Sequence, residues 1–437
     1  MHRDKTDHLI RWKHSPSRKP LIIRGARQVG KTWLMKEFGK KHFDRVAYVN
    51  FEKTKRLKTI FADGFDLQRI IIALQVESGV TIKADNTLLI FDEIQELPEA
   101  LTSLKYFHEE APEYSVIAAG SLLGVALHSD ISYPVGKVEN LDLYPLSFTE
   151  FLEAIGEKGL VKVLQTMDWK LINAYSSEFI EKLRHYYFVG GMPEAVLRFR
   201  EDYDFDEVRK IQKDLLSAYK QDFSKHTPVE MVPRIGMVWN SLPAQLSKEN
   251  KKFIFGLVKK GARAKEYELA IKWLENCGQI YKVNGISKPG MPLKAYEDRS
   301  AFKLYMVDVG LLGAMTDLDK KSLISGNQIF TEFKGAFTEQ YIMQQLRGMD
   351  DMGIYYWSAE RSRAEVDFVV QHKGKVFPVE VKAEENLQAK SLKVYYEKFG
   401  PEACVRTSMS DYRERDWLIN VPLYAVGRLP EIIGSRH

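Results

Sequence analysis

Residues 25–32 read GARQVGKT, which meets the phosphate-loop pattern G-x-x-x-x-G-K-[ST] at every fixed position. The chemistry this spacing serves is nucleoside triphosphate binding. Gly25 and Gly30 allow the backbone to curl into a nest whose N–H groups face phosphate oxygens. Ala26, Arg27, Gln28 and Val29 complete the cradle, and Trp33 follows it. Lys31 is placed to reach the β- and γ-phosphates, and Thr32 to put its hydroxyl on a magnesium ion. Further along, Leu88-Leu89-Ile90-Phe91 runs straight into Asp92-Glu93. In that position Asp92 would hold Mg²⁺ through water, and Glu93 would orient or deprotonate the attacking water. A third apolar run, Ser115–Ala119, ends at Gly120-Ser121. Ser121 is a candidate γ-phosphate sensor and equally a candidate helix N-cap.

These groups need a particular scaffold. Leu21-Ile22-Ile23 reads as a buried strand before the loop, and Thr32–Phe38 as the helix after it, whose N-terminus favours an anion. Val46–Phe51 reads as a second strand, and residues 67–79 carry helical apolar spacing. The continuously apolar run before Asp92 suits a central parallel strand covered by helices on both faces, with ligands at its carboxyl end.

A second set of chemical residues lies near the end of the chain. Residues 335–341 start a helix that carries Glu339, Ala364–Val370 is a strand, and VFPVEVK at 376–382 is another after the Lys373-Gly374-Lys375 turn. Strand alternation puts Val379 and Val381 on one face and Glu380 and Lys382 on the other, with Asp367 able to join them.

The segments RGARQVGKT, LLIFDEIQ, AAGSLLG, YPVGKVENLDLYPLSFTEFL and GGMPEAV together resemble a family of prokaryotic AAA+ class ATPases with a C-terminal domain long described as of unknown function. The resemblance implies a five-stranded α/β ATPase core followed by a helical lid. Gly191-Met192-Pro193 is similar to an element that covers the nucleotide in related signalling ATPases, and a helix-initiating turn explains it equally well. Such enzymes complete the site with an arginine from the lid or a neighbouring subunit. Arg184, Arg198 and Arg200 lie in suitable regions, and no motif selects among them, so oligomerisation stays open. The C-terminal set resembles the PD-(D/E)XK nuclease fold. That resemblance implies Mg²⁺ or Mn²⁺ bound by Glu339, Asp367 and Glu380, with Lys382 positioning the attacking water.

The middle of the chain reads in two parts. Residues 147–230 are aromatic and charged at helical spacing, which suits a lid and connector. In 236–325, a helix around Lys251–Val258, a turn at Gly261, a helix Ala264–Asn276 and strands Gln279–Asn284 and Phe302–Asp308 describe a winged helix. It could place Arg263, Lys265 and Lys272 near DNA phosphates, or dock a protein.

The expected fold is α/β throughout: a P-loop AAA+ ATPase core with helical lid, a winged-helix domain and a C-terminal α/β PD-(D/E)XK nuclease-like domain. The corresponding boundaries are 1–146, 147–230, 231–325 and 326–437. A chain of 437 residues is long enough for several cores. With 45% hydrophobic and 28% charged residues it has the composition of a globular protein, and a longest mostly apolar stretch of Ser115–Leu127 is too short to span a bilayer. The N-terminal MHRDKTDHLI lacks the apolar core of a secretion signal, and Cys277 and Cys404 form no metal-spaced pair, so the expected location is cytoplasmic. The net charge of +5 is unevenly spread: residues 1–45 hold 13 Lys+Arg against 4 Asp+Glu, and residues 248–303 hold 13 against 6. Those excesses suit a phosphate backbone or a solvated surface. The expected ligands are ATP or ADP with Mg²⁺, and the expected partners DNA or a protein, with no membrane. The leading expectation is an ATPase whose nucleotide state controls a metal-dependent nuclease acting on DNA. The rival is an ATP-driven regulatory switch or binding module whose last domain is inert.

Overall fold

The structure, a computed structural model, describes residues 1–54, 56–120, 133–248, 252–320, 331–359, 364–383 and 389–434. It divides into two compact units, one of residues 2–144 with 276–279, the other comprising residue 1, 145–275 and 280–437.

The smaller unit is built on five strands: β1 Leu21–Arg24, β2 Arg45–Asn50, β3 Thr87–Asp92, β4 Ser115–Ala119 and β5 Glu139–Asp142. All pairings are parallel, in the order β2-β3-β4-β1-β5. Burial follows from that order. Every residue of β3 and β4 is buried, whereas edge strand β2 alternates, because only a central strand is covered on both faces. Phe51, Phe61, Phe91 and Phe107 meet edge to face beside the sheet. The helix Leu67–Ser78 starts where Asp66 accepts from the Gln68 and Arg69 amides and stops at Gly79 in the left-handed region. Four of the five strands follow the apolar runs of the sequence. The fifth, ENLD, has no such run and is a strand because it pairs alongside β1.

The larger unit holds an eight-stranded sheet and a helical layer. Its strands are β6 Ile280–Ile286, β7 Glu297–Met306, β8 Gly353–Ser358, β9 Glu365–His372, β10 Lys375–Val381, β11 Cys404–Ser408, β12 Arg413–Arg415 and β13 Leu418–Pro422. Their order is β12-β13-β11-β10-β9-β8-β6-β7. The expected two-stranded wing is therefore not free. β6 pairs with β7 on one side and with β8 on the other, through Gly285↔Tyr356 and Ile286↔Trp357. The reason is burial: Ala301–Met306 of β7 are buried without interruption, and a wing with one wet face would alternate. The sheet thus runs through the expected boundary at 325/326, and the expected winged-helix and nuclease-like modules share it.

The helices before β6 are Val232–Leu246, which the sequence pattern did not single out, the single turn Phe255–Val258, where a helix around Lys251–Val258 was expected, and Ala264–Asn276, which follows the expectation. Gln245 joins the first two by giving and receiving bonds at Ile254. Tyr267, Ala270, Ile271, Trp273 and Leu274 form the buried face of the third. The helix Thr331–Gly348 is held to its surroundings by amides as much as by apolar contact. Gln340 brackets the Met306 backbone, and Gln344 accepts from the Val309 amide and donates to Asp308. Buried Asp308 also accepts from the amides of Gly191 and Leu311. The GGMP segment is therefore a packed turn that opens the helix Pro193–Asp202 with proline in its first turn.

Candidate functional site

β1 ends at Arg24, and the chain turns through the phosphate loop into the helix Lys31–His42. Gly25, Gln28 and Gly30 all take positive φ, at 148°, 65° and 95°. At Gly25 a Cβ would lie 2.1 Å from the Leu143 carbonyl oxygen, so the position admits glycine alone. Lys31 is buried and its ammonium donates to the carbonyls of Gly25, at 2.9 Å, and Ala26, at 2.8 Å. Burial pulls the Lys31 pKa down to about 8, against the opposing pull of Glu93 and Asp92.

β4 lies between β1 and β3, with Ala119 in register with both Ile23 and Asp92. The carboxyl ends of β1 and β3 are therefore one strand apart, and Thr32 crosses that gap. Its hydroxyl donates to Asp92 Oδ2 at 2.8 Å. The Tyr48 hydroxyl donates to the same oxygen at 2.9 Å, and the Glu93 amide to Oδ1 at 3.1 Å. Burial, reinforced by the neighbouring carboxylates, pushes the Tyr48 hydroxyl up to about 12, so it stays a donor. Glu93 sits in the left-handed region, φ 52°, and Gln95 donates to its Oε2 at 2.7 Å. An all-oxygen donor set beside a buried ammonium fits a magnesium–phosphate ligand: Thr32 and Asp92 would hold the ion. Ser121 lies outside the described residues.

Three further residues of this unit carry no motif. Arg3 is buried and donates to the carbonyls of Val29, at 2.8 Å, and Tyr144, at 2.5 Å, so it fixes the loop from behind. Gly278, φ 69°, lies against the loop so closely that a Cβ would sit 3.0 Å from the Ala26 nitrogen. Tyr48 is the third. Their signal is spatial, since residues 3, 48 and 278 are remote from the loop in sequence.

In the larger unit, β9 and β10 run antiparallel with Phe368 opposite Val379, which sets Asp367 beside the Glu380-Val381 step. The Val381 amide donates to Asp367 Oδ2 at 2.8 Å, and the Lys382 ammonium lies 2.7 Å from Glu380 Oε1. Glu380 Oε2 is buried with no hydrogen-bond partner. Glu339 is engaged elsewhere. Lys303, wholly buried on β7, puts its ammonium 3.3 Å from Glu339 Oε1 and 2.5 Å from Glu365 Oε1, and the Tyr305 hydroxyl donates to the same Glu339 oxygen. Burial would lower the Lys303 pKa, but Glu339, Glu365 and Asp367 outweigh it and hold the ammonium above the ordinary lysine range. The expected quartet is thus only partly assembled: Asp367, Glu380 and Lys382 adjoin, while Glu339 belongs to a cluster around Lys303, a lysine that no motif marks and whose charge Asp367 also feels. The residues do not fit a divalent ion held jointly by Glu339, Asp367 and Glu380. Among the described residues no group of three or more His, Cys, Asp or Glu is placed to hold a metal.

The expected arginine candidates are also placed. Arg198 pairs with Glu201 and Asp202 along its own helix, and Arg184 and Arg200 are exposed. In the helix–turn–helix region Lys252, Lys259, Lys260, Arg263, Lys265 and Lys272 are exposed. No helix among the described residues is long and apolar enough to cross a membrane.

Comparison with known proteins places this geometry in a class. Residues 17–152 match the family described as an AAA domain, so the chain carries a P-loop ATPase domain of the AAA+ class. Residues 180–322 and 334–425 match two domains of unknown function, DUF8612 and DUF4143. No curated protein matches the chain. Among solved structures it is similar to a Walker-type ATPase of Pyrococcus abyssi at 15% identity, covering 72% of this chain and 95% of that one with a TM-score of 0.45. It is also similar to the Orc1 protein of Aeropyrum pernix in complex with DNA (12% identity, 74% and 91% covered, TM-score 0.25). A third is the RuvB Holliday junction branch migration motor of Thermotoga maritima (13% identity, 64% and 89% covered, TM-score 0.29).

Proposed function

We propose that this chain is a magnesium-dependent ATP hydrolase whose nucleotide state governs how its larger unit engages DNA. The observation that carries the hydrolase part is the 2.8 Å bond from Thr32 to Asp92 across the mouth of the phosphate loop. Magnesium bound by these two residues would neutralise charge on the triphosphate. Lys31 exchanges its two carbonyl acceptors for β- and γ-phosphate oxygens. Glu93 orients the attacking water, and Gln95 fixes one of its carboxylate oxygens. The loop 25–30 supplies backbone N–H groups, with Arg3 holding Val29 in place.

DNA engagement is supported by the exposed cations of 252–272. Four of these six cations lie before the helix Ala264–Asn276, whose first turn holds Lys265 together with exposed Glu266, while Glu268 and Glu275 are exposed along its body. Phosphates are therefore met by the segment that leads into the helix rather than by the whole helix. Cleavage does not belong to this reading, because Lys303 holds the Glu339 carboxylate that the nuclease expectation assigned to a metal.

The test is fluorescence anisotropy on duplex DNA over a salt series, with and without ATP. Binding should weaken with salt, and Lys259→Ala/Lys260→Ala/Arg263→Ala should flatten the log–log slope by up to about 3, at roughly 0.9 per lost phosphate contact. A slope unchanged in this variant would refute DNA contact at this surface and turn the reading to protein docking. Binding that ignores ATP in wild type and Lys31→Ala alike would refute the coupling.

A further inference from the structure

We propose that Lys303 is a built-in cation that takes a divalent metal's place among the acidic residues of the C-terminal domain. The proposal rests on the nuclease-like reading of strands β9 and β10 and supplies a physical reason for that domain not to cleave. Metal-dependent phosphodiester cleavage needs carboxylates that share one cation able to lower the pKa of a bound water. Here the cation at that spot is an ammonium on β7. It enters from the part of the sheet that lies before the nuclease-like segment in sequence, across the β6–β8 pairing.

The geometry is that of a completed cluster. Lys303 has no exposed side-chain surface, meets Glu365 at 2.5 Å and Glu339 at 3.3 Å, and lies 4.9 Å from the centre of the Tyr356 ring. Tyr305, two residues on and on the same face of β7, donates to Glu339 as well. A primary ammonium can donate three hydrogen bonds but cannot activate a water as a metal does. A divalent ion entering beside it would meet a like charge carried by a side chain with no exposed surface. Sequence patterns could not show this, since Lys303 is 36 residues from Glu339 and in another expected domain.

The proposal separates two groups that the nuclease fold would use together. Glu339 and Glu365 pair directly with Lys303, Asp367 adds to the field on the same ammonium, and Glu380 pairs with Lys382 on the adjoining strand. The unpartnered Oε2 of Glu380 is where a competing metal would bind if the proposal is wrong.

The test uses the full-length chain without nucleotide, carrying Thr32→Ala and Asp92→Asn so that the phosphate loop contributes no metal site. Mn²⁺ binding is followed by the electron paramagnetic resonance signal of the free ion. With Lys303 present, no site tighter than about 1 mM is expected. Lys303→Met keeps the bulk and removes the charge, and should create a Mn²⁺ site at least tenfold tighter. Adding Glu339→Gln should abolish that site. A Mn²⁺ site already present with Lys303 in place, and lost on Asp367→Ala or Glu380→Gln, would overturn the proposal. So would a folded Lys303→Met chain that gains no Mn²⁺. If Lys303→Met does not fold, Lys303→Met/Glu365→Gln removes both signs together, and the measurement with Lys303 present still decides the matter. ATP turnover by the wild-type chain is read separately, so failure of the hydrolase reading cannot be mistaken for failure here.

Discussion

Filling the phosphate loop with ATP should make this protein take up a proton at mildly alkaline pH, and the source is Lys31. In the nucleotide-free and metal-free chain its ammonium is buried among the carbonyls of its own loop, and its pKa falls to about 8 from the ordinary 10.5. The unfolded chain therefore holds more protons than the folded one between these two values, so this group makes stability rise with pH across that window. Triphosphate oxygens supply the negative charge the loop lacks and should restore the ammonium. At pH 8.5 only about a quarter of the free protein carries that charge, so binding should take up roughly 0.7 to 0.8 of a proton. From pH 7 to pH 9 the charged fraction falls about tenfold, which should weaken ATP binding by about 1.4 kcal/mol. Isothermal titration calorimetry at pH 8.5 in buffers of different ionisation enthalpy measures the uptake directly. Lys31→Met is the control and should show none. Zero uptake by the wild-type chain, or equal uptake by Lys31→Met, would refute the argument that this buried ammonium titrates near pH 8.

The other predictions concern the same loop and its supports. Glu93→Gln should retain ATP binding and lower turnover by about 10² to 10⁴-fold, as expected of a lost general base, and Lys31→Ala should abolish turnover; steady-state phosphate release checks both. Gly278→Ala places a methyl 3.0 Å from the Ala26 nitrogen at a φ of 69°, so it should displace that part of the phosphate cradle and weaken nucleotide binding, as read by a fluorescent ATP analogue. Asp308→Ala strands three buried donors, from Gly191, Leu311 and Gln344, and should cost about 4 kcal/mol in urea unfolding of the larger unit. Asp308→Asn, which keeps one carbonyl acceptor, should cost less than half of that.

The candidate phosphate site is legible because its chemistry is local. A loop of eight residues must contain glycine where φ is positive, lysine and threonine at its end, and an apolar strand on each side. Gly25, Gly30, Lys31 and Thr32 meet those demands in one run. Asp92 was legible for a related reason, since a strand buried on both faces is apolar throughout and its two terminal acids stand out. Arg3, Tyr48 and Gly278 were not legible. Arginine, tyrosine and glycine occur throughout the chain, and only folding brings these three to the loop and its acids.

The larger unit shows the division most clearly. Strand alternation alone determined that Asp367 and Glu380 could lie side by side, and the β9–β10 register places them so. It could not determine which strands joined the same sheet, because hydrogen bonding between strands is indifferent to their distance along the chain. That choice was made by burial: β7 is apolar on both faces from Ala301 to Met306 except at Lys303, and it is covered rather than left as a wing. The one charged residue of that stretch was thereby carried into the interior, where only carboxylates could balance it. The sequence by itself determined a phosphate-binding loop, its acidic partner and a pair of strand carboxylates. The tertiary structure alone decided that a lysine from a distant strand would stand between Glu339 and Glu365, since a buried charge requires an opposite one within a few ångströms and no sequence spacing encodes that distance.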